Sequence, residues 1–168
     1  EQIILTISNC SITANGIKTI PPTTNSLTIQ CCRSCQWQKI SKTVAALHQL
    51  KELVVLSCAC CDELFSALPE CTSLRTLRVG TVFPHAEKCN LSEETLLLLT
   101  KLRHLRSFTQ VTEHPILDNP KTIKPMLVKS IIRNMPSLAG LRLYGFNSPN
   151  LELSNSREAI QTIQEYQI

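Results

Sequence analysis

The strongest constraint on the fold is a short apolar pattern that recurs along the chain. Two apolar residues alternate with a single gap, a third follows three positions later, and a leucine often lies three positions upstream. The fullest copy is Leu50-x-x-Leu53-x-Val55-x-x-Cys58. Anchored on the first alternating residue, the copies fall at 5, 27, 53, 77, about 108 and 141, so the steps are 22, 26, 24, 31 and 33 residues. The copy near 108, Leu102-x-x-Leu105-x-x-Phe108, is degraded and its register is not fixed by the sequence.

Each copy predicts a strand that is followed by a helix. Alternation with period two places Leu53 and Val55 on one face of a strand. Apolar residues at helical spacing come next, and Ser92 and Lys124-Pro125 are typical helix starts. The fold class predicted is α/β: a horseshoe-shaped solenoid of about six repeats, with a parallel sheet on its concave side and helices on its convex side. The alternative, a plain helical bundle, explains the helical runs but not the recurrence of the strand pattern.

Two segments carry a resemblance to a known superfamily. Leu68–Val79 and Asn134–Leu143 are similar to the helix-containing units of leucine-rich-repeat proteins, in particular of NOD-like innate immune receptors. The resemblance runs from Leu5 to about Leu153 and implies one domain over residues 1–168. It implies a non-enzymatic, cytoplasmic module that senses a ligand or restrains its parent receptor, with a protein or an intramolecular contact as its partner.

Other classes remain as alternatives to a sensor. The runner-up to the sensor is the substrate-binding repeat domain of an F-box-type ubiquitin ligase component, which carries related units. An extracellular repeat receptor comes third and a small enzyme last. The chain starts at Glu1 without a methionine, so we expect it to be a fragment of a larger protein.

The nine cysteines favour a reduced, intracellular protein, because their number is odd and several are adjacent. Cys10, Cys32 and Cys58 occupy the same position of successive repeats, so we expect them to stack as a buried ladder. Cys60 falls at an apolar position. The alternative is a zinc site built from Cys32-x-x-Cys35 and Cys58 with Cys60 or Cys61. We favour the ladder, because it already accounts for most of these thiols.

Nothing in the sequence predicts catalysis, a cofactor or a membrane span. The four histidines follow no motif, Asp occurs only twice, and no paired carboxylates are apparent. The longest apolar run, Leu96–Leu99, is far too short to cross a bilayer. We therefore expect no catalytic residue, no metal and no membrane partner.

The net charge of +4 is too small to require nucleic acid as a partner. It is concentrated in residues 101–142, which hold eight basic and two acidic side chains. These charges form either a solvated helix face or a surface for an acidic partner. Nucleic acid is poorly supported, because few aromatic residues are interleaved with the charges. The basic candidate surface consists of Lys121, Lys124, Lys129 and Arg133.

The main candidate binding surface is the concave face of the sheet. By strand alternation the outward residues include Thr28, Gln30, Val54, Leu56, Arg78, Arg142 and Tyr144. The best contact candidates are the two arginines and the tyrosine, because these residue types dominate interface energetics. Val54 and Leu56 either form a ligand patch or pack against neighbours. Residues 109–125 contain three prolines and are predicted to form an insertion loop that carries recognition.

Overall fold

Strands and helices alternate along the chain in the computed structural model, which describes residues 2–32, 36–58, 62–82, 92–112, 125–143 and 151–153. The strands are β1 (Ile3–Ser8), β2 (Thr24–Gln30), β3 (Glu52–Leu56), β4 (Thr76–Thr81), β5 (Ser107–Thr112), β6 (Gly140–Leu143) and β7 (Leu151–Leu153). The α-helices are α1 (Ala14–Ile17), α2 (Trp37–Ala45), α3 (Asp62–Ala67), α4 (Glu93–Leu98) and α5 (Pro125–Asn134). Short 3-10 turns, Leu68–Glu70 and Leu99–Lys101, directly follow α3 and α4.

The strands form a single sheet in which sequence order and spatial order coincide, from β1 to β7. β1 to β6 are all parallel, and each of the five connections between them contains an α-helix that returns the chain to the same end of the sheet. The predicted α/β class with a parallel sheet of six strands is therefore confirmed. β7 pairs antiparallel with β6, and the sequence pattern did not predict this strand.

The strand pairing aligns every predicted anchor residue in one column across the sheet. The column consists of Leu5, Leu27, Leu53, Leu77, Phe108 and Leu141. The degraded copy thus has its register at Phe108, with Leu105 as the upstream leucine. A second column, two residues further along each strand, consists of Ile7, Ile29, Val55, Val79, Gln110 and Leu143.

Both columns face the helices, and this side of the sheet is the core. Leu53 and Leu77 are fully buried and Leu141 is 1% exposed, as the repeat pattern predicts. Consecutive helices from α1 to α5 lie against one another on this side. Phe65 of α3 meets Phe108 edge to face, with ring centroids 6.4 Å apart, which ties the helix layer to the centre of the first column.

The predicted helix starts are confirmed at both α4 and α5. The Ser92 hydroxyl accepts a hydrogen bond from the backbone N–H of Thr95 at 3.0 Å, and Glu93 and Glu94 occupy the first turn. Pro125 is the first residue of α5, where its missing N–H costs nothing.

The insertion loop predicted over residues 109–125 begins too early. Thr109–Thr112 belong to β5 and pair with β4, and Pro125 belongs to α5. The prolines that suggested a loop lie only at 115 and beyond, so they do not interrupt the strand. Residues 113–124 lie outside the described part of the chain.

The first three strands are each followed by a residue in the left-handed backbone conformation. Asn9, Cys31 and Ser57 each have a positive φ, between 52 and 53°. Their amides donate to the carbonyls of Gln30, Leu56 and Gly80 on the next strand, at 2.7–3.0 Å. The left-handed residue thus turns the chain out of the sheet without losing a hydrogen bond.

Gly80 allows β4 and β5 to approach unusually closely. It has a φ of +148°, and a Cβ built on it would lie 1.9 Å from the backbone oxygen of Val111. No side chain fits there without moving the backbone of β5.

We expect Gly80→Ala to destabilise the protein by about 3 kcal/mol or more, through backbone strain and the clash with β5. Gly140→Ala is the matched control, because its Cβ would make only ordinary contact with Ser107 at 3.5 Å. Chemical denaturation of both variants measures the difference. Equal stability of the two would contradict the close approach.

Gln110 is the one polar residue in the second core column. It is 5% exposed, and its Oε1 has no hydrogen-bond partner in the structure. Its column neighbours on the adjacent strands are Val79 and Leu143. A buried acceptor without a donor costs about 1–3 kcal/mol.

Gln110→Leu should therefore raise the free energy of unfolding by about 1–3 kcal/mol, because it removes the unsatisfied oxygen and keeps a similar volume. Gln38→Leu, on the exposed side of α2, controls for added hydrophobicity and should change little. Urea denaturation gives both values. A destabilised Gln110→Leu variant would show that the amide has a partner in solution.

Candidate interaction surfaces

The sheet face opposite the helices carries the predicted concave-face residues. In register, one outward row runs through Thr6, Thr28, Val54, Arg78, Thr109 and Arg142. Arg78 and Arg142 are exposed, whereas Thr28 and Val54 are half-buried. Because adjacent strands are about 4.8 Å apart, the two arginine backbones are separated by about 10 Å across β5. This spacing leaves a shallow, partly apolar surface with two cations. We call this row the open face.

Leu56, predicted as a contact residue, is only 8% exposed, so packing against neighbours is the correct alternative. It lies in the next outward row, between Gln30, which is half-buried, and Gly80, which is buried. Paired strands, β2 and β4, flank Leu56 on both sides within the sheet. A partner on the open face therefore contacts Thr28, Gln30 and Val54 more readily than Leu56.

The remaining predicted contact residues are only partly described. Lys129 is half-buried on α5 and Arg133 is exposed at its last turn. Tyr144, Lys121 and Lys124 lie outside the described residues. Of the basic candidate surface, the structure therefore describes only Lys129 and Arg133, which both lie on α5.

The cysteine ladder exists, although its outer member is not buried. The Sγ atoms of Cys10 and Cys32 are 3.7 Å apart, and the backbone N–H of Cys32 donates to the Sγ of Cys58 at 3.4 Å. Cys32 is 1% exposed and Cys58 is fully buried, but Cys10 is exposed. Burial of Cys10 was predicted wrongly, because it follows the edge strand and has only one neighbouring repeat to cover it.

The buried thiols are held as donors to backbone carbonyls. Cys32 donates to Gln30 and Cys58 to Leu56, both at 3.3 Å, while Cys71 donates to Val44 at 3.5 Å. Burial raises the pKa of Cys32 to about 11, and hydrogen bonding with Cys10 modifies this shift. Burial, with a smaller effect of Glu70, also raises the pKa of Cys71 to about 11. These two groups are therefore neutral thiols and poor nucleophiles at physiological pH.

The zinc alternative rests on residues that the structure leaves undescribed. Cys35, Cys60 and Cys61 are not described. Among the described residues, no group of three or more His, Cys, Asp or Glu side chains could hold a metal ion. Cys32 and Cys58 themselves bond to backbone groups, as the ladder predicts.

A second surface, which we did not predict, lies where the chain enters β3, β4 and β5. Lys51, Arg75 and Arg106 each come directly after the upstream leucine of their repeat. The amide of Arg75 donates to the carbonyl of Lys51, and that of Arg106 to the carbonyl of Arg75, both at 2.8 Å. With Lys101 and Arg103 on the adjoining turn, these residues form what we call the basic edge. The repeated Leu-Lys and Leu-Arg pairs are the sequence signal for this surface, and a charge balance by region does not reveal it.

A cavity of about 150 Å³ opens beside the basic edge. It lies between the turns that precede β4 and β5. Its walls combine buried leucines with exposed cations, and they are formed by Pro69, Cys71, Thr72, Leu74, Lys101, Leu102, Arg103, His104 and Leu105.

No family model and no curated protein matches the sequence of this chain. In the described part of the chain, no helix is long and apolar enough to cross a membrane. The candidate surfaces are therefore judged on their own geometry.

We expect Cys10 and Cys31 to react quickly with a maleimide at neutral pH, and Cys32, Cys58 and Cys71 to react only after unfolding, because the latter are buried. Since their pKa values are raised, Cys32 and Cys71 also contribute stability that is present below pH 9 and lost as the pH rises towards 11. Mass spectrometry of labelled peptides follows each site over time. Fast labelling of Cys58 in folded protein would exclude the buried ladder.

Proposed function

We propose that this chain is a non-enzymatic protein-recognition domain, a leucine-rich-repeat solenoid that uses its open face to bind a protein partner. The observation that most directly supports this proposal is that helices cover one face of the sheet, while the other face exposes Arg78 and Arg142 to solvent. Exposed arginines on a partly apolar surface are a common composition of binding hot spots.

The repeat architecture supports this proposal. Six parallel strands recur with the anchor residues in one column. The strand ends carry left-handed residues followed by cysteines that bond to the turn. Each repeat uses its apolar residues on its neighbours, so the outward rows are free to serve recognition.

Within this class we favour a ligand-sensing or autoinhibitory domain of a cytosolic, NOD-like innate immune receptor. The resemblance of Leu68–Val79 and Asn134–Leu143 to such units supports it, and the crowded thiols favour a reducing compartment. The alternative is the substrate-binding domain of an F-box-type ubiquitin ligase component, which would use the same open face.

The test places a photo-crosslinking amino acid at Thr109, between the two arginines, in the full-length protein. We expect an adduct, and we expect Arg78→Glu with Arg142→Glu to reduce its yield at least about tenfold through lost contacts and repulsion. Thermal unfolding of each variant is measured first, because Arg142 stands opposite Glu152 in the pairing of β6 with β7, and like charges in such positions are destabilising. The matched control is Lys42→Glu with Arg133→Glu, which makes the same charge change on exposed helix positions.

The identity of the adduct separates the two classes. A peptide from the same full-length chain indicates autoinhibition, whereas a separate protein whose ubiquitination falls in the double variant indicates the ligase alternative. If the control variant reduces the yield and the Arg78/Arg142 variant does not, recognition lies on the helix side and the open-face proposal is wrong.

A further inference from the structure

The basic edge places cations of neighbouring repeats side by side. Lys51, Arg75 and Arg106 are joined by consecutive backbone hydrogen bonds of 2.8 Å, so their backbones are about 4.8 Å apart across the strands. Lys51 and Arg106 are exposed and Arg75 is half-buried. Like charges in such neighbouring positions repel each other, and the row therefore has a strong attraction for negative groups.

The cavity beside this row is bordered by further cations. The cations Lys101 and Arg103 contribute to its wall, together with the imidazole ring of His104. The guanidinium of Arg75 donates from Nη1 to the carbonyls of Thr72 and Leu74, at 2.8 and 3.1 Å. Both of these residues line the cavity. The charge of Arg75 is thus fixed at the rim by neutral groups, which do not cancel it.

Few carboxylates oppose these charges. Glu70 lies on the adjacent 3-10 turn, and Glu52 follows Lys51 but accepts a hydrogen bond from the Ser26 hydroxyl at 2.7 Å. The basic edge thus has five cations and only two nearby carboxylates among the described residues. Neither of these carboxylates forms a salt bridge with the basic edge.

We propose that the basic edge and its cavity bind an acidic protein segment that inserts one apolar side chain between the cations. The cavity volume of about 150 Å³ is of the size that accepts a single aromatic ring. Its apolar lining includes Pro69 together with Leu74, Leu102 and Leu105, although each of these leucines is at most 5% exposed. Carboxylates on either side of the inserted residue would meet Arg75 and Arg106 on one flank and Lys101 and Arg103 on the other.

The lining favours a protein segment over nucleic acid. Sites for single-stranded nucleic acid combine cations with aromatic platforms on which bases stack. The residues that line this cavity include no Phe, Tyr or Trp. A phosphate backbone would use the cations but would leave the cavity unfilled, whereas an acidic peptide with one apolar residue does both.

The inference goes beyond the open-face proposal, because it concerns a different surface. Arg78 and Arg142 lie in an outward row of the sheet, whereas the basic edge lies on the segments that precede the strands. Arg78→Glu with Arg142→Glu should leave binding at the basic edge within about twofold of wild type. Failure of either proposal is therefore distinguishable from failure of the other.

The experiment uses a fluorescent peptide with one phenylalanine flanked on each side by three glutamates. We expect saturable binding that weakens as the salt concentration rises. Replacing Lys51, Arg103 and Arg106 by Gln should weaken it at least about tenfold, and replacing the phenylalanine of the peptide by alanine should weaken it about three- to tenfold. All three positions are exposed, so thermal unfolding should not change.

The matched control removes the same number of charges elsewhere, through Lys18→Gln, Lys39→Gln and Lys42→Gln at exposed positions in or next to α1 and α2. It should leave peptide binding within about twofold of wild type. The proposal is overturned if the control and the edge variant lose affinity equally, if the phenylalanine makes no difference, or if no saturable binding occurs. Tighter binding of an oligothymidylate or of anionic vesicles, with the same sensitivity to the edge variant, would overturn it in favour of those ligands.

Discussion

The structure depends on the stacking of identical repeat positions across parallel strands. No single strand and helix pair could remove Leu53 or Leu77 from water alone, because each of these side chains needs the equivalent residue of the next strand beside it. Burial of the column from Leu27 to Leu141 and the backbone hydrogen bonds of the sheet therefore form together. Features that repeat in the sequence become adjacent in space, and this holds for apolar, sulfur-containing and charged positions alike.

This adjacency explains which parts of the fold the sequence predicts. The anchors at Leu53, Leu77 and Leu141 could be identified because an alternating apolar pair marks each of them. The register at Phe108 could not, because Gln110 stands where the pattern requires an aliphatic residue. The antiparallel β7 has only three residues and no repeat pattern of its own. The positive φ of Cys31 and Ser57 was equally hidden, because neither is glycine or asparagine.

The candidate surfaces also contain some residues that the sequence predicts and others that it does not. Alternation correctly placed Arg78 and Arg142 outside the core, because strand geometry alone decides that side. It failed for Leu56, which is 8% exposed, because alternation predicts the side of the sheet and not how far a side chain on that side is covered. It also missed Arg75, whose position follows from the turn before the strand and not from the strand. The open face and the basic edge lie on different parts of the repeats, so the two partners that we propose would not compete for one surface.

The unsatisfied amide of Gln110 affects which part of the molecule unfolds first. In a linear array, stability is the sum of contributions from each unit and from each interface between units. Gln110 lowers the contribution of both interfaces of β5, with Val79 on one side and Leu143 on the other. Cooperativity is weakest at such a position, so we expect β1 to β4 to persist as one foldon while β6 and α5 open to solvent at lower cost. A single polar atom would then divide the domain into a rigid half and a half that exchanges its amide protons more readily.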